Sequence, residues 1–368
     1  MERISKMLSV SLLLILSLGM FFPKALAEVT PTPAVDPNAT GLDLGTSISP
    51  VKITYDVNLG ETAEGELTLY NVTNKATYLY PYAKNFKSDG STGTPMFIEE
   101  KLPLNASLKD WIVFDTEKVM VENVKLDNTN ATKIKFKINI PLDAQYGGHY
   151  AAVMVSINDP KKTLLPDQGN IAFSADPGTL ILVNIKGKVS RDLTLTAFKA
   201  TDPYATIKND QTVFEWMPVE FTTELENKGN THAFPLGNII VYQGDTEVQK
   251  LIFNEAQSAI LRESKRLYST VMQPGFIYND SIKDSGNAPI KDSNGNTKTQ
   301  LALNWDKLSK QFFGPYKAKL LLVYDDDGIK KNILQEKDFW IIPWKLILAV
   351  IILIAGYIFV KSKLKEKE

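Results

Sequence analysis

Two histidines, His149 and His232, and no cysteine stand in 368 residues. A Ser–His–Asp triad must therefore use one of those two rings, and thiol nucleophiles and thiolate metal sites are excluded. His149 lies in Gly147-Gly148-His149-Tyr150, at the mouth of a predicted strand. Two adjacent glycines there predict a bulge or a close backbone approach, with His149 half-exposed at a sheet edge. His232 closes the turn Asn227-Lys228-Gly229-Asn230-Thr231 and is read the same way. Paired carboxylates could cleave a sugar polymer, and Glu99-Glu100, Asp325-Asp326-Asp327 and Glu224/Glu226 qualify by residue type. The triple Asp precedes Gly328, a setting in which Asp serves local turn hydrogen bonds. Glu224 and Glu226 share one face of a strand, most simply its wet face. Asp292-Ser293-Asn294-Gly295-Asn296 offers oxygens at alternate positions, but an EF-hand needs Gly at its sixth place and Glu at its twelfth. Thr297 and Leu303 stand there, so the segment reads as a solvated loop. No HExxH, P-loop, GxGxxG after a strand, GxSxG or paired CxxC occurs. The expectation is a protein without catalytic residues, metal or cofactor.

The elements around these residues are short β-branched and aromatic runs between turn signals, starting near Thr46. In Lys133–Ile140, Ile134, Phe136, Ile138 and Ile140 fall on one face, and Lys133, Lys135, Lys137 and Asn139 on the other. That period of two with one polar face predicts a half-buried antiparallel strand. Several such runs predict an all-β protein of sandwich type. A second series begins near Ser190, so the expected modules are 46–189 and 190–338, abutting without a long linker. Asp327-Gly328 between two strand-like runs predicts a hairpin. Residues 277–299 are rich in Asn, Asp, Ser and Gly and read as a mobile loop of the second module. Leu67–Pro81 and Phe221–Pro235 echo each other faintly: strand, Asn-Lys turn, aromatic strand, Pro. Tyr78, Tyr80 and Tyr82 alternate onto one face, which is either core or a shelf able to stack sugar rings.

The ends of the chain set its address. Residues 341–360 (IIPWKLILAVIILIAGYIFV) are apolar apart from Lys345 and long enough to cross about 30 Å of hydrocarbon as a helix. Trp340 and Trp344 sit at one end and Lys361, Lys363, Lys365 and Lys367 at the other. Lysine excess predicts a cytoplasmic tail, 361–368, with everything before the helix outside. Arg3 and Lys6, the apolar stretch Met7–Phe22 and Ala25-Leu26-Ala27 predict a signal peptide, 1–27, followed by a flexible leader, 28–45. An exported chain without cysteine relies on its apolar cores alone. Net charge is −1. Removing +2 for residues 1–27 and +3 for Lys345 with the tail leaves the exported part near −6. That excludes nucleic acid and bulk-charge binding of anionic polymers. Asn-x-Ser/Thr sites at Asn38, Asn71, Asn105, Asn130 and Asn279 matter only in a glycosylating host.

Ser49-Pro50-Val51-Lys52-Ile53, Gly60-Glu61-Thr62 and Leu69-Tyr70-Asn71 resemble the opening of an immunoglobulin-like module. Ser107-Leu108-Lys109-Asp110-Trp111-Ile112, Ile140-Pro141-Leu142-Asp143-Ala144 and Gly147-Gly148-His149-Tyr150-Ala151-Ala152-Val153 follow. Their order is similar to the peptidoglycan-binding domain of the WxL-interacting proteins, membrane-anchored surface proteins of Gram-positive bacteria. The layout of that family, a signal peptide, two sandwiches, one helix and a lysine tail, is also similar. The same opening resembles, more weakly, the N-terminal domain of periplasmic pilus chaperones. Those chaperones hold a subunit's terminal carboxylate with two basic residues between domains, a pair not locatable in this sequence. The resemblance implies two immunoglobulin-like β-sandwiches followed by a transmembrane helix. It implies a non-enzymatic surface protein that engages cell-wall peptidoglycan or a secreted surface protein. The alternatives are an assembly factor that works by strand addition and a glycan hydrolase with paired carboxylates. The residues that contact a partner are not legible.

Overall fold

The computed structural model describes residues 46–71, 76–121, 131–159, 176–310 and 313–365. The expected signal peptide and leader, Asn38, Asn130 and the last three residues of the tail lie outside them. Leu44–Glu368 forms a single unit.

The first series comprises β1 (Thr46–Ser49), β2 (Lys52–Val57), β3 (Thr62–Asn71), β4 (Thr77–Ser88), β5 (Pro95–Phe97), a single helical turn α1 (Leu108–Trp111), β6 (Ile112–Phe114), β7 (Val119–Val121), β8 (Thr132–Asn139), β9 (Gly147–Ser156) and β10 (Gly178–Ile185). One sheet runs β1-β3-β8-β6 and the facing sheet β2-β10-β9-β4-β5, with β7 also on β4. The second series comprises β11 (Leu193–Thr201), β12 (Val213–Phe214), β13 (Glu220–Asn227), β14 (Leu236–Gln243), β15 (Thr246–Phe253), β16 (Ser264–Val271), β17 (Ile277–Ser281), β18 (Thr299–Leu303), β19 (Gly314–Asp326) and β20 (Ile329–Ile341). Its sheets run β11-β13-β16 and β12-β20-β19-β14-β15, with β17-β18 as a separate ribbon. The chain is thus two immunoglobulin-like β-sandwiches followed by one apolar helix, α2 (Trp344–Lys365), long and apolar enough to cross a membrane. Strand order agrees between the two. The order β1-β3-β8 corresponds to β11-β13-β16, and β2-β10-β9-β4 to β12-β20-β19-β14. In each, the short second strand pairs in parallel with the last.

Side-chain alternation accounts for the first core. On β8, Ile134, Phe136 and Ile138 are buried and Lys133, Lys135 and Lys137 exposed, as the period of two requires. Phe136 and Ile138 meet Leu67, Trp111, Val153, Ile181 and Val183 between the sheets. The second core is aromatic: Phe339 packs on Phe214, Phe221 and Tyr316 with ring centroids 5.3–6.0 Å apart. Strand β9 is buried along its whole length. Ala151 and Val153 face the sandwich interior, while Tyr150, Ala152 and Met154 face Ala259, Phe234 and Leu261 of the second sandwich. A strand covered on both faces reads as an unbroken apolar run, which is what Tyr150–Val155 is.

Two sequence readings change in detail, and a third holds. Residues 277–299, expected as a loop, carry β17, the start of β18 and isolated bridges Lys283↔Pro289 and Lys291↔Thr297. Asp284 and Asp292 accept backbone N–H groups two and four residues on, which builds the turns between them. The helix begins at Trp344, not Ile341: Ile341 pairs with Gly314 and Phe214 as the last residue of β20. Pro343 then precedes the helix, and its carbonyl accepts the Ile347 N–H at 3.0 Å. The hairpin at Asp327-Gly328 forms, with φ of 52° and 86°, the left-handed pair that a two-residue type I′ turn needs.

Candidate functional site

The two glycine-bearing motifs meet. Gly148 N–H donates to Asn230 O at 2.9 Å, so the turn of the second sandwich lies directly on the start of β9. Gly147 has φ 104°, and a Cβ there would overlap the Asn230 carbonyl. A Cβ on Gly229 would overlap the Ser190 carbonyl. Gly147 and Gly148 therefore serve the close approach that their adjacency predicts, and Gly229 serves one that the sequence marked only as a turn. Around them the junction is polar and satisfied. Asn230 Nδ2 donates to Lys188 O at 2.7 Å, and Asn230 Oδ1 accepts Ser190 N–H at 2.8 Å. Thr231 Oγ1 donates to Asn184 Oδ1 at 2.8 Å, and Asn184 Nδ2 to Asp56 Oδ1 at 2.6 Å.

Neither histidine is half-exposed at an edge; each is only 2 % exposed. β9 is an inner strand of its sheet, and His149 lies under Trp111, ring centroids 4.7 Å apart. Its Nε2 is 2.8 Å from Gln145 O and its Nδ1 3.2 Å from Ala106 O. Burial lowers its pKa, against the pull of those carbonyls. His232 is wedged between Tyr150 and Phe234, with Nδ1 unpartnered. Burial, and then the Arg191 guanidinium, push its pKa down to about 4. Both rings are packing groups, and the sequence missed this because the groups that cover them are set by tertiary packing: Trp111 and Ala106 over His149, and Tyr150 of the other sandwich against His232.

The carboxylates are dispersed into local roles. Glu99 pairs with Lys84 at 3.1 Å, and Glu224 lies 4.0 Å from Lys265. Asp325 accepts the Gly328 N–H, and Asp326 binds Lys331 at 2.7 Å and the Arg191 N–H at 2.6 Å. Asp292 spends both carboxylate oxygens on its own turn. Among the described residues, no group of three His, Cys, Asp or Glu is placed to hold a metal ion. Tyr78, Tyr80 and Tyr82 fall on the outer face of β4, opposite buried Leu79 and Pro81. Tyr78 is 44 % exposed with Lys118 Nζ 4.6 Å over its ring. Tyr82 donates to Asp176 at 2.8 Å and joins the cluster between the sandwiches.

Two concave surfaces among the described residues bear on binding. A cleft of about 290 Å³ opens where the sandwiches meet. Its lining includes Lys87 on β4, Arg262 and Glu263. Lys87 and Arg262 thus line one cleft although they lie far apart along the chain. The second surface is a groove of about 780 Å³ between β15 and β16, the open edges of the two sheets of the second sandwich. Its rims carry exposed Ile252, Leu267 and Val271. Met272 N–H donates inward to Val219 O, so alternation turns the N–H groups of Leu267, Ser269 and Val271 away from β13. Leu267 N–H is used, donating to Ser91 O at 2.7 Å. The loop of the first sandwich thus closes one end of the edge and leaves the Ser269–Val271 end beside the groove. Edge strands of the first sandwich are shorter: β1, β5, β6 and β7 have three or four residues each, and β2 six, against eight in β15 and in β16.

No family model matches the chain, and no curated protein matches it. Among solved structures it has weak similarity to pilus chaperones. The class 5 fimbriae chaperone CfaA is 13 % identical over 79 % of this chain and 98 % of its own, with a TM-score of 0.31. The E. coli chaperone DraB is 11 % identical over 81 % of this chain and 98 % of its own, with a TM-score of 0.28. The Pseudomonas aeruginosa CupB2 chaperone is 6 % identical over 80 % and 99 %, with a TM-score of 0.28.

Proposed function

We propose that this is a membrane-tethered, non-enzymatic binding protein of the outer cell face that takes an extended polypeptide segment onto the open edge of β16. The observation that carries this reading is the groove between β15 and β16, which pairs outward-turned backbone groups with apolar rims. Strand addition needs that combination: main-chain hydrogen bonds supply affinity and apolar pockets select side chains. A segment of a secreted surface protein awaiting assembly is the partner this edge suits. The anchor α2 would hold the edge outside the cell, with the lysine-rich end inside.

Val271→Pro removes one outward N–H without touching the core. Full chain in detergent micelles should capture secreted surface proteins of the parent cell, and V271P should capture at least tenfold less at an unchanged melting temperature. Amide exchange at Ser269 and Val271 should slow on binding. Capture that is indifferent to V271P, with no protection at those amides, would refute the edge reading. A second reading, cell-wall glycan on the outer face of β4, is favoured by the exposed ring of Tyr78. It predicts that the full chain sediments with purified peptidoglycan and that Tyr78→Ala abolishes this.

A further inference from the structure

Four of the five tryptophans gather at the end of the second sandwich from which α2 leaves. Trp340 is in β20 and Trp344 opens the helix, with only Ile342 and Pro343 between strand and helix. Lys345 in the first helical turn binds Glu215 at 2.7 Å. Trp216 follows Glu215 and stacks edge-on with Phe313, ring centroids 6.0 Å apart, and Phe313 precedes Gly314, the partner of Ile341. Met217 bridges Tyr278 in parallel, and Phe276, two residues earlier, packs on Trp305 with centroids 5.1 Å apart. Trp305 is 68 % exposed, and Leu301 on β18 is exposed with it, so the rim presents an apolar patch rather than a lone ring. Leu303, beside it at the end of β18, is also exposed.

We infer that this end of the second sandwich is a foot seated in the headgroup region of the lipid bilayer, with Trp305 as a second membrane contact beside the helix. The inference rests on the reading of α2 as a membrane anchor. A helix joined to β20 by two residues and pinned by Lys345–Glu215 keeps the sandwich base at the depth where the helix enters lipid. Indole rings favour that depth because an apolar body and a single N–H donor suit the headgroup boundary. Continuity with the helix selects lipid over a protein as the occupant. The foot would fix the tilt of the sandwiches, which a single helix alone leaves free.

The chain has no cysteine, so one introduced thiol carries one spin label. Full chain reconstituted in phosphatidylcholine–phosphatidylglycerol vesicles is labelled at Asp306→Cys beside Trp305, at Leu346→Cys in the helix, or at Lys330→Cys. Lys330 stands at the far end of the β19–β20 hairpin, roughly 35 Å from the helix at 3.3 Å per residue. Nitroxide collision with oxygen and with a water-soluble nickel complex reads depth. The foot predicts that the label at 306 is shielded from nickel several-fold relative to the label at 330, and that Trp305→Ser removes most of that shielding. If 346 is in lipid while 306 behaves like 330, the foot is refuted and the anchor stands. If 346 itself is open to nickel, the anchor reading falls and the foot with it. Melting temperature measured on each variant separates loss of contact from loss of fold.

Discussion

His232 titrates against the fold. Its ring is neutral in the folded chain because burial and Arg191 push its pKa to about 4, against an ordinary 6.5 when unfolded. As pH falls below about 6.5 the unfolded chain takes up the proton first, so stability is complete above that pH and declines toward pH 4. The full effect is about 3 kcal/mol. Denaturation midpoints at pH 7 and pH 4.5 should differ clearly in the parent and much less in His232→Phe. His149 shifts in the same direction, and with carboxylates that their partners hold low, such as Glu336 and, against its burial, Asp326, it contributes to the part that remains. Gly147 tests the close approach. Gly147→Ala sets a methyl against the Asn230 carbonyl, while Gly90→Ala shares φ of 104° but meets nothing within 4 Å. Both carry backbone strain, and only Gly147→Ala should add the overpacking cost of about 1–3 kcal/mol. Calorimetry that finds equal losses would remove the steric argument.

At the level of elements, β20 does two jobs. It completes the second core through Phe339 and continues into α2. Truncation by Phe339→Ala leaves a cavity among Phe214, Phe221 and Tyr316 and should cost about 3–5 kcal/mol in chemical denaturation. The β18 ladder and the helix are not part of that core, so helix content by circular dichroism should be retained below the new midpoint. The Lys133–Ile140 alternation and the Asp327-Gly328 turn were legible in the sequence because each depends on neighbours only a few residues away. The β17–β18 ribbon was not legible: its Asn, Asp and Gly residues signal turns, and the strand pairs between those turns lack β-branched runs.

At the scale of the whole molecule, the two sandwiches are joined by a shared apolar cluster around Tyr150, Phe86 and Ala259 and by the bonds of Asn230. They should unfold as one unit. Asn230→Ala removes two side-chain hydrogen bonds, at roughly 1 kcal/mol each, and should split a single calorimetric transition into two. A single transition in the variant would mean that the apolar cluster and the remaining bonds, Gly148 N–H to Asn230 O, Thr231 to Asn184 and Leu267 N–H to Ser91 O, suffice to couple them. This coupling places the Ser91 loop on β16 and so decides which end of that edge is free.

By itself the sequence determined the β character, the outward face of β8, the hairpin turn and an apolar helix, since periodicity and turn chemistry act over a few residues. It also marked Gly147-Gly148 as a place of close backbone approach, though not that the turn at Asn230 is what approaches. Burial of both histidines, the placing of Lys87 and Arg262 in one cleft, the free edge of β16 and the gathering of four tryptophans at one end were decided by tertiary structure alone. Each joins residues far apart along the chain, and such proximity is set by strand order and sandwich docking, which no local pattern encodes.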